Sequence, residues 1–294
     1  MNQKNLSKLI DESISIETEE AKKINALGYM ARSLVQATMP HKNPGTVEAW
    51  GRRNGNFSMV IQPGYEIDKN NKTRCVGLPY GPKPRLIMAF ISSEAVRTKS
   101  REIVFGKNLS EFMRSLHLIP TGGKNGAIRM LKEQMKRLFL STVSFKYEGD
   151  NSEINGGFRI ASKVITFWDP KSQKESKCWE SVVTLSQEFY DEVTKRPVPF
   201  DVRAMTALKN SSLAMDIYFW ITYRMSYLKA PVEIPWQLLA MQFGSDYEDI
   251  RDFKKNFIKQ LRKVSVVYKF KAESNEKGLF LKPEKPHIPK SKLC

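Results

Sequence analysis

The chain has 294 residues, 41% hydrophobic and 11% aromatic, which excludes a disordered protein and leaves room for two ordinary domains or one large one. Forty-eight lysines and arginines stand against 31 aspartates and glutamates, giving a net charge of +17. Such an excess favours polyanionic partners, nucleic acid first, because each cation set against a phosphate releases a condensed counterion; membranes and ribosomes attract similar chains.

Cys75, Cys178 and Cys294 are dispersed, which excludes a disulfide framework or a zinc site and reads as buried or incidental thiols in a reducing compartment. The N-terminus lacks the charged and apolar regions of a signal peptide, and no run approaches the roughly 18 apolar residues of a membrane span. The expectation is a soluble, cytoplasmic protein with no membrane partner.

Residues 4–38 read as one helix, with Ile24, Leu27, Ala31, Leu34 and Val35 at helical spacing, ended by the prolines and glycine of MPHKNPGT. FSMVIQ (57–62) reads as a strand, followed by a polar loop, DKNNKTR. PRLIMAFISSEAVRT (84–98) carries Leu86, Ile87, Phe90, Ile91 and Ala95 on one helical face. REIVF (101–105) is a short strand, and NLSEFMRSLHL (108–118) a short helix capped by Asn108 or Ser110. After PTGGKNG comes a helix with Ile128, Leu131, Met135 and Leu138 facing inward. VSFKYEG and GGFRIASKVITFW then alternate around DNSEINGG as a long β-hairpin, with Trp168-Asp169-Pro170 ending its second strand.

The second half repeats this order. SSLAMDIYFWITYRMSYL (211–228) is an apolar helix whose Tyr218, Phe219 and Trp220 suit a core better than a base-stacking platform. PVEIP (231–235) is a strand and WQLLAMQF (236–243) a short helix. YEDIRDFKKNFIKQLRKV (247–264) is a longer helix with Ile250, Phe253, Phe257 and Leu261 in its apolar stripe, and a hairpin pattern closes the unit. Helix, short strand, short helix, turn, basic helix and hairpin is the order of a winged helix. The fold expected is therefore α+β, mostly helical, with two tandem winged-helix domains. A helical segment (1–49) precedes domains over 50–185 and 186–282, and a basic tail (283–294), rich in proline and lysine, is expected to be disordered.

TGGKNG poses a choice between a phosphate cradle and a turn that aims a helix. A nucleotide-binding loop needs GxxxxGK followed by Ser or Thr after a buried strand. Here Lys124 directly follows Gly122-Gly123, Asn125 occupies the hydroxyl position, and a helix precedes the glycines. The sequence therefore reads as a turn, in which glycine supplies the backbone freedom. Gly123, Lys124, Asn125, Arg129, Lys132 and Lys136 then fall on the open side of the first basic helix, in reach of base edges and phosphates. Arg251, Lys254, Lys255, Lys259 and Arg262 are their counterparts in the second, with Lys263, Lys269 and Lys271 beyond them.

The run from Leu78 to Phe139, with its segments LPYGPKPRL, EAVRTKSREI, LSEFMR, PTGG and LKEQMKRLF, resembles the plasmid-encoded RepA replication initiator family. The resemblance implies an iteron-binding protein of two winged-helix domains. Such a protein binds direct repeats of double-stranded DNA at an origin, helps melt an AT-rich element and recruits host replication proteins, an initiator and a helicase among them. It also implies a monomer–dimer equilibrium and no enzymatic activity or cofactor. It supports a role in DNA binding for Gly122 to Phe139 but no side-chain-to-base assignment.

Two other readings stay open: a transcriptional repressor built from the same two domains, and a nicking enzyme of rolling-circle type. The nicking enzyme would need a close histidine pair, whereas His41, His117 and His287 are scattered and read as surface or capping residues. Neither the clustered arginines and histidine of a tyrosine recombinase nor the carboxylate cluster of a metal nuclease is visible. Glu17, Glu19 and Glu20, and likewise Glu248 and Asp249, read as acids at helix N-termini. LPYGPKPR reads as a rigid lead-in to the helix at Arg85, with a partner-binding loop as the alternative.

Overall fold

The computed structural model describes residues 3–106, 108–124, 126–165, 181–244 and 247–289, with side chains from residue 9 onward. The N-terminal part comprises α1 (Gln3–Thr18), β1 (Leu27–Met30), α2 (Arg32–Gln36), β2 (Trp50–Asn54), β3 (Phe57–Gln62), β4 (Tyr65–Ile67) and β5 (Thr73–Cys75). A first unit follows: α3 (Pro82–Thr98), β6 (Glu102–Val104), α4 (Leu109–Ser115), α5 (Ala127–Leu140), β7 (Thr142–Glu148), β8 (Glu153–Arg159), β9 (Ala161–Ile165) and β10 (Val182–Leu185). Helix α6 (Gln187–Lys195), β11 (Val198–Asp201) and α7 (Val202–Leu208) connect it to α8 (Ser212–Met225), β12 (Val232–Pro235), α9 (Trp236–Phe243), α10 (Ile250–Val267), β13 (Ala272–Ser274) and β14 (Gly278–Leu281). The fold is mixed α and β, and the expected order of helix, strand, short helix and longer helix occurs in both halves.

The strand pairing differs from the expectation in the first half. The hairpin β7–β8 is present, but it joins β3 and β2 in a four-stranded sheet ordered β2-β3-β7-β8. The strand that pairs with β6 is β10, in a sheet ordered β6-β10-β9. In the second half the sheet is ordered β12-β14-β13. Both three-stranded sheets thus place the last strand between the first and the second, and β7–β8 is an extra hairpin inserted before β9. Trp168, Asp169 and Pro170 lie outside the described residues.

The single helix expected over 4–38 is a correction. The chain breaks after α1, Asn25 takes a positive φ of 54°, and Leu27–Met30 pairs antiparallel with β11. Gly28 is required there, because a Cβ would sit 2.5 Å from the Phe200 ring. Of the apolar residues read at helical spacing, Ile24 lies in the turn, Leu27 in β1, Ala31 at the N-cap of α2 and Leu34 and Val35 within α2. Glu17 consequently lies at the C-terminal end of α1, not at an N-terminus, and pairs with Lys269 at 2.8 Å. Helix α6, assigned from sequence to the second domain, packs on α3 and β8, with Phe189 5.3 Å from Phe158 between ring centroids.

Helices α3 and α8 form the centre. Helix α8 is buried on all sides, with Tyr218, Phe219 and Trp220 in the core. Helix α3 begins at Pro82 after Gly81 at φ 76°, so LPYGPKPR is a packed lead-in with Leu78 fully buried. The two helices meet where Arg85 and Asp216 pair; His41 Nε2 also donates to the Asp216 carboxylate at 2.8 Å. His41 is therefore a buried network residue, not a surface one.

The tail is likewise not free over its described part. The Tyr268 hydroxyl donates to the Lys285 carbonyl at 2.8 Å, and the His287 ring stacks on Tyr268 at 4.6 Å and hydrogen-bonds the Tyr218 hydroxyl at 2.8 Å. Two aromatic surfaces and two hydrogen bonds offset the entropy of ordering this segment. Residues 290–294, Cys178 and Cys294 lie outside the described residues, and Cys75 is a half-buried free thiol. No described helix is long and apolar enough to cross a membrane.

Candidate nucleic-acid interface

Helix α5 is aimed by the turn that precedes it. The Thr121 side chain accepts from the Ala127 N–H at 2.9 Å, and its carbonyl accepts from Ile128 at 3.2 Å. These contacts satisfy two of the helix's unpaired N-terminal donors without an anion. Gly123 has φ 88°, where nothing crowds a Cβ, and Gly126 sits so tightly that a Cβ would fall 2.4 Å from the Thr121 carbonyl oxygen. The loop joins two helices, α4 and α5, with no strand leading into it, which is the geometry of a helix-aiming turn. Helix α4 is capped by the Asn108 side chain, which accepts from the Glu111 N–H at 2.9 Å.

Leu131, Met135, Leu138 and Phe139 bury one side of α5, with Ile128 half-buried above them. Arg129, Lys132 and Lys136 are exposed together on the other side, and Lys124 is exposed in the turn. Asn125 lies outside the described residues. Lys136 is held by Glu66 of β4, and Arg137 by Glu133 at 2.6 Å. Glu66 is kept below the usual carboxylate range by its hydrogen bonds to Lys136 and Arg74.

Helix α10 repeats the arrangement. Asp249 caps it by accepting from the Arg251 N–H at 2.7 Å, and that bond together with the Arg251 side chain lowers the Asp249 pKa. The acid expected at a helix N-terminus is thus present here. Phe253, Phe257, Leu261 and Val264 are buried. Ile250, expected in that stripe, is 41% exposed because it occupies the first helical turn, beyond the core. Arg251, Lys255, Lys259 and Arg262 line the exposed side at intervals of about one turn. Lys254 is half-buried, its ammonium 5.3 Å from the Trp236 ring centroid. Lys263 is pushed below the usual lysine range by partial burial, with Lys259 adding repulsion.

The structure thus places Arg129, Lys132 and Lys136 on one face of α5 and Arg251, Lys255, Lys259 and Arg262 on one face of α10, whereas Gly123 and Lys124 stand in the turn before α5 and Lys254 leans on Trp236. Lys269 and Lys271, beyond the helix, are exposed and pair with Glu17 at 2.8 Å and Glu284 at 3.2 Å. Sequence reasoning missed Lys69, Lys72 and Arg74, which stand on the β4–β5 hairpin beside α5. The signal was the basic, turn-rich run DKNNKTR between two short extended segments. Among the described residues no three His, Cys, Asp or Glu side chains are grouped so as to hold a metal ion.

The family described as "Plasmid encoded RepA protein" matches residues 78–236, more than half of the chain. No curated protein matches the chain in sequence. In fold it is similar to the crystal structure of selenomethionine derivatives of domains 2 and 3 of RctB. The TM-score is 0.50 at 12% identity, over 84% of this chain and 93% of that one.

Proposed function

The chain belongs to the plasmid-encoded RepA family, and from that premise we propose that it is a plasmid replication initiator that binds repeated double-stranded DNA at its origin. Each half of the protein acts as a winged-helix domain, with α5 and α10 as the recognition helices. The observation that carries this reading is the recurrence of an exposed basic helix after the same strand and short helix, beside a three-stranded sheet of the same strand order.

In this reading the exposed arginines and lysines of α5 and α10 reach base edges and the flanking phosphates of two successive major grooves, a site of about 20 base pairs. The β13–β14 hairpin, and β9–β10 in the first unit, lie along the backbone or minor groove. The protein acts by binding, not by covalent chemistry. Host replication proteins are recruited to the bound origin, and a monomer–dimer equilibrium separates initiation from repression.

A salt-titrated binding curve on duplex from beside the chain's own gene, against a scrambled duplex of equal length, tests the reading. Repeat-dependent binding that outlasts the non-specific background as salt rises is expected. Equal loss on both duplexes would refute it, and preference for a lone inverted repeat at a promoter would replace it with a repressor.

A further inference from the structure

Between Gly64 and Val76 the chain forms a separate two-stranded hairpin, β4–β5, in which Tyr65 faces Cys75, Glu66 faces Arg74 and Ile67 faces Thr73. Its tip is a structured turn. The Asp68 carboxylate accepts from the N–H groups of Asn70 at 2.8 Å and Lys72 at 3.0 Å, and Asn71 adopts φ 60°. This turn holds Lys69 and Lys72 exposed at the tip, with Arg74 exposed on the returning strand.

The base of the hairpin is fixed to the first basic helix. Glu66 pairs with Lys136 of α5 and, at 2.9 Å, with Arg74. The Val76 N–H donates to the Gly64 carbonyl at 3.0 Å, and Arg137 of α5 donates to the Leu78 carbonyl at 3.2 Å. Between α5 and β5 lies an open groove whose cations are Arg74, Arg129, Lys132, Lys136 and Arg137, with Glu133 also in its wall. Even with Glu66 and Glu133 counted, positive charge is in excess. The opening suits an extended polyanion passing through, not a compact ligand held on all sides.

We propose that the β4–β5 hairpin is a second DNA-contacting element, seating the phosphate backbone of one strand in the groove beside α5 while Lys69 and Lys72 extend the contact at the hairpin tip. The inference rests on the reading of α5 as a DNA-binding helix and adds residues that reading did not contain. Phosphate contacts fix register without carrying sequence information, so the hairpin contributes affinity and position, not discrimination.

The test compares the full chain with a Lys69→Ala/Lys72→Ala/Arg74→Ala variant and with a Lys22→Ala/Lys23→Ala/Lys195→Ala variant that removes the same charge elsewhere. Binding to the duplex from beside its own gene is measured across salt, with a footprint and a thermal melt of each protein. The hairpin variant is expected to melt like the wild type and to lose about 10- to 100-fold in affinity near 0.1 M salt. Its slope of log K against log salt should flatten by about two to three, since each phosphate contact contributes roughly 0.9. Its footprint should shorten at one end, and its preference for the native over a scrambled duplex should stay unchanged. A hairpin variant with the slope and footprint of the charge-matched control would overturn the hairpin assignment alone. A wild type with no preference between the duplexes would instead overturn the DNA-binding reading, and the hairpin assignment with it.

Discussion

Arg85 and Asp216, 131 residues apart in the chain, form a buried bidentate pair in which the Arg85 Nε donates to one carboxylate oxygen at 2.7 Å and an Nη to the other at 2.6 Å. The remaining guanidinium donors reach the carbonyls of Gly81 at 2.7 Å, Met39 at 2.7 Å and Pro40 at 3.3 Å, so the buried charge is satisfied in its full fork geometry. One pair thereby ties α3, α8 and the segment before β2. Asp216→Ala strips Arg85 of its counter-charge and is expected to cost about 3–5 kcal/mol. Denaturant unfolding checks this, and a loss under about 1 kcal/mol would show that the pair contributes little.

The same carboxylate predicts acid sensitivity. Burial works against the charged form of Asp216, but the attraction of Arg85 and the hydrogen bond from His41 outweigh it and hold the group below the usual aspartate range. A depressed folded-state value means that the unfolded chain takes up the proton first. The contribution is present in full above the ordinary aspartate value and falls as pH drops below it. Asp216→Asn should flatten the stability curve in that acid window, measured as the unfolding midpoint against pH.

His287 gives a second, milder window. Burial against Tyr218 and Tyr268 pushes its pKa down to about 4, with Arg203 adding to the effect and Asp201 opposing it. The neutral ring is the one that fits, so stability is complete above the unfolded value near 6.5 and declines as pH falls toward 4. Between pH 7 and pH 5 the loss should reach about 2 kcal/mol, at 1.36 kcal/mol per unit. In His287→Phe that decline should disappear; an unchanged curve would place its origin elsewhere.

The turn before α5 separates two glycines by mechanism. Gly126→Ala puts a methyl 2.3 Å from the Gly122 carbonyl oxygen, so backbone must move. Gly123→Ala meets open space and bears only the left-handed strain of φ 88°, about 1–2 kcal/mol. Gly126→Ala should therefore lower DNA affinity and the melting temperature more than Gly123→Ala. The reverse order would mean that the turn does not position α5.

For the two recognition helices, Arg129→Ala and Lys255→Ala should each weaken binding to the native duplex. Each should also flatten the salt slope by about one if its contact is to phosphate. A base contact would instead cost about 1–3 kcal/mol and relax preference at one position. Unchanged affinity in a folded variant would exclude that residue from the interface.

By itself the sequence determined the charge excess, most helices and strands, and the inward and outward faces of α5 and α10. Periodicity and charge are local properties, and each records which side of an element meets the core. The exposed cations of α10 and the cap at Asn108 were legible for that reason. What only the tertiary structure decided was partnership at a distance. The β7–β8 hairpin joined β3 instead of closing the first three-stranded sheet, β10 took the place beside β6, and residues 27–30 left a helical pattern to pair with β11. Arg85 marked only the start of a helix until Asp216 arrived from α8, and His287 looked like tail until Tyr218 and Tyr268 enclosed it. Lys136 and Lys271 looked as open as Lys255 until Glu66 and Glu284 were brought to them. Such pairings depend on which segments of a long chain are packed against each other, and neither residue of a distant pair carries the identity of its partner in its own neighbourhood.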